Sequence, residues 1–159
     1  MLTTKHLQLR PSQREDAATL YRIWQDPAVA RYLNIGTLRS VEETEDLIVF
    51  LIESTYVKRY TVLFEGNILG TAGFNTWNIQ DESTEIGYDL SSHYWRRGFG
   101  TEVVQWLVEK AVSEGMTSIR AAIDERNTAS LKLVQKLGFR FYETFEEEGI
   151  RYSEYRYEI

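Results

Sequence analysis

The run His93-Tyr94-Trp95-Arg96-Arg97-Gly98-Phe99-Gly100-Thr101 sets two glycines beside two arginines, where an alternating segment gives way to an apolar stripe of helical period. Glycine lets the backbone turn tightly and approach a ligand without a side chain in the way. The unpaired N–H groups of a first helical turn, together with the helix dipole, suit an anion. Arg96 and Arg97 add positive charge at the same point. The chemistry this spacing supports is main-chain capture of a diphosphate. The competing reading is a plain strand-to-helix loop, with glycines for geometry and two solvated arginines. The run lacks the Gly-Lys-Ser/Thr of a Walker loop and is shorter than a full G-x-G-x-x-G fingerprint.

Two neighbouring segments bear on it. The preceding strand, Glu85-Ile86-Gly87-Tyr88-Asp89-Leu90, carries a glycine in its middle, a mark of a bulge or a close backbone approach. Further on, Asn127, Ser130 and Val134 fall on one helical face at i, i+3 and i+7, so two polar groups stand on an otherwise apolar face. Asn127 is also a natural helix N-cap, and Ser130 an ordinary first-turn residue.

These segments must be positioned by a chain of 159 residues, a length that suits one domain, residues 1–159. At 43% hydrophobic and 26% charged, the composition is that of a globular protein with a core of its own. The absence of cysteine excludes disulfides, thiolate metal sites and a cysteine nucleophile. His6 and His93 are too far apart to suggest a local metal motif, and we expect no metal. A net charge of −6 argues against nucleic acid as the main ligand. No apolar run approaches the ~20 residues of a membrane span, so a cytoplasmic protein without membrane contact is expected.

Residues 6–10 alternate and read as a first strand ending at Pro11. Ser12 with Glu15 forms a capping box for a helix whose face carries Ala17, Leu20, Tyr21 and Trp24. A short helix over 28–33 follows, released by Asn34 and Gly36. Ser40 and Glu43 cap a third helix burying Val41, Leu47, Ile48, Leu51 and Ile52. The period then becomes two: strands at 60–64 and 68–77 about the turn at 65–67, and a third strand at 83–90. After Gly98 a helix buries Val103, Val104, Leu107, Val108, Ala111 and Val112 and ends at Gly115. A strand at 118–123, a helix at 128–137, a strand at 139–145, a turn at 146–149 and a strand at 150–157 complete the chain. The order β-α-α-α-β-β-β-α-β-α-β-β predicts an α/β (α+β) fold, a central twisted mixed sheet flanked by helices.

With these motifs in this order, the chain resembles the GCN5-related N-acetyltransferases (GNAT), most closely the ribosomal-protein N-terminal acetyltransferase (RimJ/RimL-like) branch. The resemblance rests on Glu85-Ile86-Gly87-Tyr88, on 94–102, and on Asn127-x-x-Ser130 with Lys136-Leu137-Gly138-Phe139. It extends to Leu9-Arg10-Pro11 and Leu69-Gly70-Thr71. It implies acetyl-CoA as co-substrate, its pyrophosphate held around Arg96, Arg97, Gly98, Phe99, Gly100 and Thr101. It further implies that Tyr88, Asp89 and Leu90 pair through their backbone with the pantetheine arm, which Asn127 bonds from the other side. Many relatives carry a tyrosine seven residues after this asparagine to protonate the leaving thiolate. Here that position is Val134, and the resembled branch has a serine where Ser130 stands. Glu85 is the implied base and lines the acceptor site, since related enzymes use a glutamate at this strand position.

The implied reaction is direct attack of a neutral amine on the thioester. An α-amine, with a pKa of about 7.7–8.0, loses its proton more easily than lysine near 10.4, by ~3.5 kcal/mol at neutral pH. A site with a weak base therefore suits a peptide N-terminus, with a polyamine or other small amine as alternatives. The resemblance implies an acceptor between the 24–36 connection and the last two strands, where Trp24, Tyr32, Asn34, Glu147 and Tyr152 are candidate contacts. The competing function is a CoA-binding regulatory or assembly module without catalysis. The oligomeric state is left open, a homodimer among the options.

Overall fold

The computed structural model describes residues 2–33 and 35–159. Its elements run β1 (Leu2–Thr3), β2 (Gln8–Pro11), α1 (Ala17–Gln25), α2 (Pro27–Ala30), α3 (Val41–Glu53), β3 (Lys58–Phe64), β4 (Asn67–Asn78), β5 (Ser83–Leu90), α4 (Phe99–Ser113), β6 (Ser118–Asp124), α5 (Thr128–Lys136), β7 (Arg140–Glu147) and β8 (Ile150–Glu158). The eight strands form one sheet in the order β1-β2-β3-β4-β5-β6-β8-β7. Every neighbouring pair is antiparallel except β5 with β6, which are joined through α4. None of the described helices is long and apolar enough to cross a membrane.

Alternation along the strands sends apolar side chains to both faces. One face joins Leu9, Val62, Leu69, Phe74 and Ile86 to the α4 residues Phe99, Val103, Val104 and Leu107 and to Val134 of α5. Against the other lies a smaller cluster of Ala17, Leu20, Trp24, Val29 and Ile48, from α1, α2 and α3.

Several local expectations change in the folded chain. Ser12 does not cap α1; its hydroxyl instead bonds that of Thr61 at 3.0 Å. The Asp16 carboxylate accepts from the Gln13 N–H at the start of the short 3-10 turn that leads into α1. Asp16 also takes the Arg10 guanidinium at 2.7 Å and the Thr61 hydroxyl, so the turn is fixed by contacts across β2 and β3. The helix expected over 28–33 is Pro27–Ala30, capped by Asp26, whose side chain accepts from the Ala28 N–H. In α3 the inward position is Thr44 rather than Ile52, which is exposed. In α4, Val112 is exposed while Trp106 is buried.

Candidate active site

Strands β5 and β6 pair only through Ser83↔Ser118, Thr84↔Ile119 and Glu85↔Arg120. Past Glu85, β5 stays with β4 as far as Leu90, while β6 stays with β8 as far as Asp124. A gap therefore opens inside the sheet between 86–90 and 121–124. At the level where it opens, β4 carries a bulge between Phe74 and Thr76, with Asn75 the extra residue. A bulge bends its strand and increases the local twist, which helps β5 leave its parallel neighbour. Gly87 is part of the same arrangement. A Cβ there would lie 2.8 Å from Asn75 Nδ2, so a side chain at 87 would displace that amide.

The antiparallel ladder decides which backbone groups face the gap. Ser91 donates to the Leu69 carbonyl at 2.7 Å, and alternation then turns Asp89 and Gly87 toward β4. The N–H and C=O groups of Tyr88 and Leu90 point the other way, though the Leu90 carbonyl already accepts from the Trp95 indole at 2.8 Å. Asp89 thus departs from the expected backbone role. Its main chain belongs to β4, and its buried side chain accepts from Thr71 and, at 2.8 Å, from the Trp24 indole. Burial pushes the Asp89 carboxyl up, opposed by Thr71, Arg59 and Trp24.

At the end of this gap stands the N-terminus of α4. Gly98 caps it with φ +82°, a left-handed conformation that disfavours side chains, and Arg96 is also left-handed at φ +63°. The first helical bond is Glu102 N–H to the Gly98 carbonyl, leaving the N–H groups of Phe99, Gly100 and Thr101 without helical partners. The Phe99 side chain is buried. The Arg97 guanidinium lies over the rings of Phe64, Tyr94 and Phe99 at 5.1, 5.6 and 5.0 Å, while the Arg96 side chain is exposed. Glu102, the acidic residue of this turn, is engaged by Thr4 and His6.

Helix α5 begins across the gap. Asn127 Oδ1 accepts from the Ser130 N–H at 3.3 Å, so the asparagine is the N-cap its position suggested. The Ser130 hydroxyl lies 2.9 Å from the Tyr88 hydroxyl. Val134 is buried in the core.

Glu85 projects from the opposite face of β5. Burial is the main force on its carboxyl and pushes it above the usual carboxylate range. Arg120 and a hydrogen bond from Asn75 oppose that shift, while Glu154 and Glu147 reinforce it. Asn75 is itself held, because its Oδ1 accepts from Arg59 at 3.2 Å, which leaves its Nδ2 for Glu85. A carboxylate raised in this way is better matched to taking a proton near neutrality than an ordinary one.

The expected acceptor contacts divide. Tyr32 donates to the Arg126 carbonyl at 3.3 Å, tying the end of α2 to the turn before α5. Tyr152 stacks on Phe145 at 5.3 Å and pairs in register with Asp124. Glu147, at the end of β7, acts electrostatically on both Tyr152 and Glu85. Tyr32, Tyr152 and Glu147 keep exposed surface. Trp24 is buried: it is 7% exposed, its indole committed to Asp89, because the second core closes around it. Asn34 lies outside the described residues.

Residues not singled out from the sequence also belong here. They are Asn75, Arg120, the Tyr88 side chain, and Asp124, which grips Arg126 at 2.6 Å on the acceptor side. The one local signal was Asp124-x-Arg126 immediately before the Asn127 cap. Asn75 sits in a bulge that period-two patterning does not reveal.

Comparison with known proteins gives a consistent result. The acetyltransferase (GNAT) domain family matches residues 6–140. The uncharacterized N-acetyltransferase p20 of Bacillus licheniformis is 33% identical over 145 residues, covering 87% of this chain and 82% of the relative. Among solved structures, RimL, a ribosomal alpha-N-protein acetyltransferase in complex with coenzyme A, superposes with a TM-score of 0.89 at 19% identity, over 99% of this chain and 97% of that one. A spermidine N-acetyltransferase SpeG chimera from Vibrio cholerae and hSSAT gives 0.84 at 17% identity, covering 97% and 96%.

Proposed function

Since the chain belongs to the acetyltransferase (GNAT) family, we propose that it moves the acetyl group of acetyl-CoA to a primary amine by direct attack within a ternary complex. The observation that carries this reading is the gap between β5 and β6, bounded by an anion-ready helix end, a raised carboxylate and a hydroxyl. The free N–H groups of Phe99, Gly100 and Thr101 hold the diphosphate, with Arg96 and Arg97 adding charge. The pantetheine arm enters the gap and bonds the Tyr88 main chain, while Asn127 faces it from α5.

The amine approaches from the opposite face, between Tyr32, Tyr152 and Glu147. Glu85 removes its proton, directly or through a water. Attack on the thioester carbonyl then forms the amide as the C–S bond breaks, and Ser130 hydrogen-bonds the departing sulfur. Orienting the two substrates contributes about 7–11 kcal/mol toward the rate. The weak base favours an α-amine or another amine of modest pKa, so a peptide N-terminus is the preferred acceptor and a polyamine the next.

The test is thiol release from acetyl-CoA over a panel of peptide N-termini, polyamines and aminoglycosides. Turnover that requires an amine is expected, with peptide α-amines the faster group at pH 7. Tight acetyl-CoA binding with no acceptor-dependent thiol release would instead favour a non-catalytic CoA-binding module.

A further inference from the structure

A departing thiolate needs a proton or a strong hydrogen bond, and an aliphatic hydroxyl alone is a poor source of either. It ionises far less readily than the thiol it would serve, so a serine that gives up its proton must be resupplied at once. The position seven residues after Asn127, where a phenol would stand in many members of the family, holds Val134, 1% exposed within the core. The phenol at this site comes from another element. Tyr88 projects from β5 across the mouth of the gap, packs against the α4 and α5 core, and brings its hydroxyl to 2.9 Å from Ser130 Oγ.

We infer that Tyr88 and Ser130 form a two-step proton relay to the leaving sulfur, the strand tyrosine standing in for the absent helix tyrosine. When the C–S bond breaks, its electron pair stays on sulfur. Ser130 Oγ gives its proton to that sulfur and takes one from the Tyr88 hydroxyl in the same event. Serine ends unchanged, CoA leaves as the thiol, and the tyrosinate recovers a proton from solvent or from the proton shed by the acylated amine. Tyr88 acts through Ser130 and is therefore a positioning residue. With the phenol as donor to Ser130 Oγ, the serine proton is turned outward and the relay has one direction.

Either hydroxyl can donate across the 2.9 Å contact, and the relay uses the arrangement in which the phenol does. The partner of the Ser130 hydroxyl is the Tyr88 hydroxyl, while Asn127 Oδ1 accepts from the Ser130 N–H. Burial, as the main force, raises Tyr88 above the usual phenol value, with the Ser130 hydrogen bond opposing it. The phenol therefore stays protonated through the range where an α-amine becomes neutral, about pH 8.

The inference rests on the acetyl-transfer reading, and its test separates the two. In the 159-residue chain, kcat, the acetyl-CoA KM and a proton inventory in mixed light and heavy water are measured for the parent, Tyr88→Phe, Ser130→Ala and the double variant. Tyr88→Phe removes one oxygen, and its melting temperature is measured alongside. The expected results are a roughly tenfold lower kcat for Tyr88→Phe with KM within twofold, and a double variant no slower than Ser130→Ala. The curved inventory of the parent should become linear in Tyr88→Phe. If Ser130→Ala is impaired while Tyr88→Phe keeps the parent kcat and inventory, the relay is overturned and the acetyl-transfer reading stands. If the two losses multiply in the double variant, the hydroxyls act separately and the relay is also overturned. A folded parent that releases no thiol with any amine overturns both.

Discussion

The two sides of the gap are built in different ways. The diphosphate end of the cofactor side is a local object: nine consecutive residues turn at Gly98 and present the N–H groups of Phe99, Gly100 and Thr101. The acceptor side is assembled from distant parts, with Glu85 of β5 tuned by Asn75 of β4, Arg120 of β6 and Glu154 of β8. Main-chain recognition tolerates almost any side chain around it, whereas a carboxylate's proton affinity depends on each neighbour. We therefore expect single changes to act steeply on the first side, and gradually, with a pH signature, on the second.

Gly98→Glu should break the cofactor side. The added Cβ meets nothing within 4 Å, so the fold is spared a clash, but the carboxylate sits at the anion site. Calorimetry should show acetyl-CoA affinity reduced at least ~100-fold. Gly98→Ala separates charge from strain. It should keep binding within about threefold and cost about 1–2 kcal/mol in chemical denaturation, the penalty for a left-handed alanine.

On the acceptor side, Glu85→Gln keeps the shape and loses the base. Its kcat/KM should fall roughly 10- to 100-fold near pH 7 and recover partly as pH rises and more amine arrives neutral, sooner for a peptide α-amine than for a lysine or polyamine. A parental pH–rate profile would remove Glu85 from the chemistry.

Asn75→Ala and Glu147→Gln should shift that profile in opposite directions. The Asn75 hydrogen bond favours ionised Glu85, so its loss raises the carboxyl further and moves the acid limb to higher pH. Glu147 disfavours the ionised form, so neutralising it moves the limb to lower pH. The second shift is the smaller and should shrink with added salt, because Glu147 is exposed. Limbs that stay fixed in both variants would mean that Glu85 is not the titrating group.

The same division explains what was legible beforehand. Strand β5 was expected at 83–90, where it lies, and the asparagine cap and the glycine-opened helix follow from short-range rules. The side-chain partners of Asn75, Tyr88 and Trp24 follow none. A bulge does not alter composition, Tyr88 meets a residue 42 positions away, and Trp24 meets one 65 away. The turn that leads into α1 shows the same limit. Ser12-x-x-Glu15 has the right local pattern, yet Asp16 wins because Arg10 and Thr61 from two strands converge on it. Burial alone would raise Asp16, but these hydrogen bonds and the Arg10 charge hold it below the usual range.

The most direct test of the account is a crystal structure of the chain with acetyl-CoA. The account predicts the diphosphate oxygens on the N–H groups of Phe99, Gly100 and Thr101. It also predicts the pantetheine arm between β5 and β6 against the Tyr88 main chain, and the thioester sulfur within hydrogen-bonding reach of the Ser130 hydroxyl. A cofactor whose arm runs outside that gap, or whose diphosphate sits away from the start of α4, would contradict it.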